Sequence, residues 1–169
     1  GDVWKDPALE GQRPLPAGTF TMAAMLQRAG YATAAVGKWG LGGPGSEGEP
    51  TKLGFDHFFG FLCQRIAHNH YPAYLWRNAI RVPLDNRGIY PHEKFPAGND
   101  PKAAASYERY GGKQYAVDLM GNEAREFITA NRSRPFFLYF APTVPHAALQ
   151  VPEDSLAEYL GQWDDPPYK

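Results

Sequence analysis

The sequence predicts an α/β fold, and three observations predict it. Phe136 to Phe140 is a continuous apolar run of five, rich in aromatics and without polar alternation. A strand buried on both faces of a parallel sheet reads this way. Met22, Met25, Leu26 and Ala29 form one apolar stripe at helical spacing, and the short apolar segment Tyr31–Val36 follows within two residues. Helix then strand is half of an α/β unit. A second stripe, Val117, Met120, Ala124, Phe127 and Ile128, leads through Arg132–Arg134 into the aromatic run and repeats the pattern.

The chain has 169 residues, the size of one domain or part of one. Seventeen basic residues stand against eighteen acidic ones, for a net charge of −1. That balance removes the electrostatic argument for a nucleic-acid partner or an anionic membrane surface. Eighteen glycines and sixteen prolines are about a fifth of the chain, against about 12% usually. The chain is loop-heavy, yet too aromatic to be disordered. No apolar run is long enough to span a bilayer. The single cysteine, Cys63, has no internal disulfide partner and leaves the compartment open. The chain begins at Gly1 and ends on Asp164-Asp165-Pro166-Pro167-Tyr168-Lys169, so a piece of a longer chain is expected.

In order, residues 1–18 read as a connecting loop with Pro7, Pro14 and Pro16. Thr21 is placed to cap the first helix and Gly30 to stop it. The strand expected over Tyr31–Val36 runs into Gly37-Lys38-Trp39-Gly40-Leu41-Gly42-Gly43-Pro44-Gly45. Glycines there let the backbone turn and approach a ligand closely, and Lys38 is delivered beyond a carboxyl strand end. The order of glycines, lysine and hydroxyl is not that of a Walker A loop. A glycine-rich turn with an incidental lysine is the other reading.

Gly54–Phe61 reads as a core-anchoring turn or short strand. His68 and His70 follow in Ala67-His68-Asn69-His70. With His57 or His92 they suggest a metal pair, but no carboxylate or thiolate stands at ligand spacing, and histidines lining a polar pocket fit better. Tyr74–Leu84 predicts a hairpin turning near Arg77–Ala79. Asp85–Gly112, with Pro91, Pro96 and Pro101, predicts a long surface excursion of the kind that is often functional. Tyr115–Asn131 is the second helix, with Asp118, Glu123, Arg125 and Glu126 on its outer side. Pro142, Pro145 and Pro152 end the aromatic strand at about Ala141. His146 then hangs in the loop beyond a carboxyl strand end, where open α/β sheets bind ligands. It also reads as an ordinary surface histidine. Ser155–Leu160 starts a further short helix.

Three ordered blocks carry a resemblance. Thr19–Ala23 with Ala29–Gly43, then Gly54–Gly60, then Phe136–His146 are similar to successive segments of the type I sulfatases, the arylsulfatase-like branch of the alkaline phosphatase superfamily. The resemblance runs from about Leu15 to Glu153. It implies a mixed sheet flanked by helices and hydrolysis of a small-molecule or glycan sulfate ester. It implies a formylglycine nucleophile made from Cys or Ser in a C/S-x-P-x-R motif, and a divalent cation, usually calcium, held by Asp and Asn. A periplasmic, secreted or lysosomal-type compartment also follows from it. By the same resemblance, Lys38 contacts the sulfate and His146 protonates the leaving oxygen, roles that suit a cation and an imidazole.

The chain departs from the family in two ways. Cys63 stands in Cys-Gln-Arg-Ile-Ala, which is not the formylglycine motif, and the paired metal aspartates are absent, so nucleophile and metal ligands are expected outside residues 1–169 and the piece alone should be inactive. Gly40 stands where many members carry a histidine thought to expel sulfate. His68 is the candidate substitute, and Gln64 the candidate polar sulfate contact. The alternatives are a phosphomonoester or phosphonate monoester hydrolase of the same superfamily, or a catalytically dead anion- or glycan-binding relative.

Overall fold

The computed structural model describes residues 10–89, 93–101, 103–146 and 149–162. His92 and the Asp164-Asp165 terminus lie outside them. The described residues form a five-stranded mixed sheet with helices on both faces. The strands are β1 (Ala32–Lys38), β2 (His57–Phe61), β3 (Tyr74–Arg77), β4 (Ile80–Pro83) and β5 (Phe136–Ala141), in the spatial order β4-β3-β2-β1-β5. β1 pairs in parallel with β2 and with β5, while β2–β3 and β3–β4 are antiparallel. The helices are α1 (Met22–Arg28), α2 (Ala116–Asn131) and α3 (Glu153–Ala157).

Period-two alternation along the central strands divides the core in two. Val36, Phe59, Phe61 and Leu75 pack with Met120 and Ala124 of α2 on one face. Ala35, Phe58, Leu62 and Trp76 pack with Phe55 and with Ala23 of α1 on the other. The hairpin turn falls at Asn78–Ala79, within the range expected, and Asn78 takes the left-handed conformation at φ 53°.

Five expectations need correction. β5 pairs in parallel with β1 and ends at Ala141, but it is not buried throughout: Tyr139 and Phe140 are each 45% exposed, and among the described residues no strand pairs with its other side. An uninterrupted apolar run does not by itself say how much of a strand is covered. α1 forms, with Thr21 Oγ1 accepting from Ala24 N at 3.0 Å, but it buries Ala23 and leaves Met22 and Met25 60% and 48% exposed. Its contact is set by the close approach of Gly54, whose added Cβ would lie 2.3 Å from the Ala24 backbone. β1 runs two residues further than expected, through Gly37 and Lys38. Glu123, assigned to the outer side of α2, is buried, because Arg77 reaches it bidentately at 2.6 and 2.7 Å and His57 Nε2 lies 2.7 Å away. α3 also begins two residues before Ser155.

Candidate active site at the carboxyl strand ends

The sheet positions the site through two neighbouring parallel strands. Gly37 pairs with Ala141 on one side and Gly60 on the other. At φ 126°, a Cβ on Gly37 would stand 2.0 Å from the Ala141 carbonyl oxygen. Glycine is therefore what lets β1 and β5 come together at their carboxyl ends. Lys38 is the next residue and the last of β1, partly buried beside Phe61. β5 leaves the sheet opposite Gly37, and His146 follows five residues later, its backbone N–H donating to the Thr143 carbonyl at 3.0 Å.

His68 closes on His146 from the other side. It ends a single 3₁₀ turn, Ile66–His68, in the loop after β2. The two imidazoles stack, with centroids 4.1 Å apart and planes 12° apart. Both line an open cleft of about 1570 Å³, whose opposite wall comes from the 85–112 excursion. Tyr71, Tyr107, Tyr110 and Tyr115 give the cleft aromatic walls. The described residues of the excursion are mostly loop, with short 3₁₀ turns at Ala104–Ser106 and Glu108–Tyr110. Lys38 does not line this cleft.

Gln64 lies over Gly40. A Cβ on Gly40 would be 2.3 Å from Gln64 Nε2 and 2.4 Å from its Cγ. Gly40 also sits at φ 89°, in the region glycine favours. The space a side chain at position 40 would enter is therefore filled by the carboxamide of Gln64.

His70 does not join the cleft lining. It is buried, its Nδ1 faces the Gln150 carbonyl at 3.3 Å, and its Nε2 has no hydrogen-bond partner among the described residues. A carbonyl only accepts, so Nδ1 carries the proton and Nε2 the lone pair. Burial holds His70 below the usual histidine range, the Gln150 contact opposes this, and nearby His146 adds to it. His57 is taken up by Glu123. Among the described residues no three His, Cys, Asp or Glu side chains stand together as a metal site. The described residues by themselves therefore form no site for the family's cation. Cys63 is buried with Gln12 Nε2 3.7 Å from its Sγ, and burial pushes its thiol up, opposite to what a nucleophile needs.

Sequence reasoning missed Gln150 and Tyr115. Tyr115 donates its hydroxyl to the Gln150 carbonyl at 3.0 Å, and burial pushes that hydroxyl up to about 12. Neither residue belongs to a motif or an apolar stripe. Among the described residues no helix is long and apolar enough to cross a membrane.

The Sulfatase family matches residues 4–165. The chain is 31% identical over 160 residues to an arylsulfatase of Hemicentrotus pulcherrimus, covering 89% of this chain and 26% of that protein. It is 32% identical over 146 residues to arylsulfatase G of Rattus norvegicus, covering 81% of this chain and 27% of that protein. The chain thus spans about a quarter of the length of these curated relatives. Among solved structures it is similar to Ps i-CgsB in complex with k-i-k-neocarrahexaose, at TM-score 0.63 and 22% identity over 91% of this chain and 33% of that one. It is also similar to BT4656 in complex with its substrate D-glucosamine-2-N,6-O-disulfate, at TM-score 0.56 and 22% identity over 86% of this chain and 23% of that one. These likenesses show the fold, that of the alkaline phosphatase-like sulfatases. With the family matched across nearly all of its length, the chain belongs to the sulfatases.

Proposed function

We propose that this chain supplies the anion-binding and leaving-group side of a sulfuric ester hydrolase site, of arylsulfatase type. The observation that carries the reading is the stacked His68–His146 pair at the cleft, beyond the carboxyl end of β5 and beside the strand that ends in Lys38. The formylglycine nucleophile and the calcium-type cation implied by the family belong to other segments. What these residues do is hold the anion and move a proton.

When the sulfuryl group leaves an ester oxygen, negative charge grows on that oxygen and on the equatorial oxygens. Lys38 is the cation for the equatorial oxygens, and its charge there lowers the barrier. His146 donates its ring proton to the departing oxygen. His68, stacked on it, takes the place of the histidine that the family carries where Gly40 stands. Gln64 is the neutral hydrogen-bond donor for the sulfate.

The cleft favours an extended substrate. Its volume of about 1570 Å³ exceeds the roughly 300–1,000 Å³ of ordinary small-ligand pockets, and its tyrosine walls suit sugar rings. The structural neighbours in complex with k-i-k-neocarrahexaose and with D-glucosamine-2-N,6-O-disulfate support a sulfated glycan as the substrate class.

The test is turnover by the full-length protein on phenyl sulfate against phenyl phosphate, esters whose poor leaving group needs the proton. Preference for sulfate, with losses of about 100-fold or more in both Lys38→Ala and His146→Ala, is expected. Near-normal turnover in either variant removes that residue from the site. Preference for phosphate turns the reading to the phosphomonoester branch, and no turnover of either to a binding protein.

A further inference from the structure

His146 follows the end of β5 at Ala141 by five residues and lies outside any helix or strand. A general acid in such a loop needs something to fix it, and Gln150 is placed to do so. Its side-chain Oε1 accepts the backbone N–H of His70 at 2.6 Å. Its Nε2 donates to Asn69 Oδ1 at 3.1 Å and to the Tyr110 carbonyl at 2.6 Å. Its carbonyl accepts the Tyr115 hydroxyl at 3.0 Å and faces His70 Nδ1 at 3.3 Å. Asn69, which is buried, is itself tied down, donating to the carbonyls of Tyr71 and Ile89 and accepting from the Tyr71 N–H.

The arrangement is a closed ring. Asn69 and His70 directly follow His68, and Gln150 follows His146 by four residues. The two segments are joined once by the imidazole stack and once by the Gln150 bonds. We propose that Gln150 is a positioning residue for His146, clamping the loop that carries it onto the segment that carries His68. The inference rests on the proposed role of His146 as the leaving-group acid.

A clamp on a general acid predicts a selective defect. An ester with a good leaving group departs without help, whereas a poor one needs the proton. In the full-length protein, Gln150→Ala should lower kcat on phenyl sulfate by about 30-fold or more, part of the roughly 10²–10⁴-fold that a general acid contributes, and kcat on 4-nitrophenyl sulfate by only about 3-fold. KM should change little on either, because the anion contacts remain. Gln150→Glu keeps an acceptor for the His70 N–H but turns a carboxylate oxygen toward Asn69 Oδ1 and the Tyr110 carbonyl, so it should fail to rescue. Independently of turnover, amide exchange in the peptide spanning Asn69–Tyr71 should quicken in Gln150→Ala, because the His70 N–H loses its acceptor.

Equal losses on the two esters, or no loss on either, overturn the positioning role. Unchanged exchange over Asn69–Tyr71 overturns the clamp itself. A wild type that turns over neither ester removes the sulfatase reading and the catalytic role with it, while the exchange still decides whether Gln150 holds the two segments together.

Discussion

Gly40 offers a sharp test of how the site is packed. By the family resemblance many members place an imidazole there, so Gly40→His looks like a repair. The structure predicts damage instead. Gly40 sits at φ 89°, where a residue with a Cβ loses about 1–2 kcal/mol. The new Cβ would also lie 2.3 Å from Gln64 Nε2, so the Gln64 side chain must leave its rotamer, at about 0.5–1.5 kcal/mol. Gly40→Ala isolates both effects and should destabilise by about 2–3 kcal/mol in urea unfolding of the full-length protein. Gln64→Ala removes the clash and leaves the backbone strain. The double variant should therefore be about 1 kcal/mol more stable than the sum of the single changes. Gly40→His should lower turnover rather than raise it, since the imidazole displaces the carboxamide assigned to the sulfate. A Gly40→Ala variant as stable as wild type, or strictly additive effects in the cycle, would refute the claim that Gln64 fills the space of a residue-40 side chain.

Two further outcomes follow from groups whose protonation the fold alters. Burial alone would raise Glu123, but the hydrogen bonds from His57 and Arg77 outweigh it and hold the carboxyl below its usual range. A depressed carboxyl stabilises the fold above its unfolded pKa of about 4.3 and loses that contribution as pH falls through the folded value. Glu123→Gln should cost about 1–3 kcal/mol at pH 7, with the gap to wild type closing below about pH 4; a gap undiminished at pH 2 would sink the assignment. Cys63, buried and with its thiol raised by that burial, should react with a thiol reagent about 100-fold more slowly in the native protein than after unfolding. Rapid native labelling would show that the thiol is not shielded.

Much of the fold was legible because it is written in local chemistry. The α2 stripe, the β3–β4 hairpin and the exit of β5 at Ala141 each follow from spacing, a turn or a proline. Position within the sheet was not legible. Phe136–Phe140 reads as buried on both faces because it is apolar throughout, yet cover is a property of partners, and among the described residues nothing pairs with the far side of β5. α1 went astray for a related reason. Its stripe of larger side chains was the stronger signal, but Gly54 admits the small Ala23–Ala24 side of the helix. The site divides in the same way. Lys38 and His146 are visible because strand ends and prolines announce them. The His68–His146 stack brings together residues 78 positions apart, and the sequence offers only a bare histidine pair to suggest it. Gln150 leaves no trace at all, since a clamp needs only one amide in the right place.

The precision of such a site depends on strand register more than on the loops. In a parallel pair a slip of one residue turns every side chain to the opposite face. Lys38 stands at the last position of β1, and the loop to His146 begins opposite Gly37, so a slip between β1 and β5 would separate the two groups. The glycine at 37 opposes that slip. Moving any residue with a side chain into its place would bring a Cβ to about 2 Å from the Ala141 carbonyl. The paired register is thus the one in which the only residue without a Cβ in Ala32–Lys38 meets the closest backbone approach, and it is also the one that sets Lys38 beside the departure point of the His146 loop.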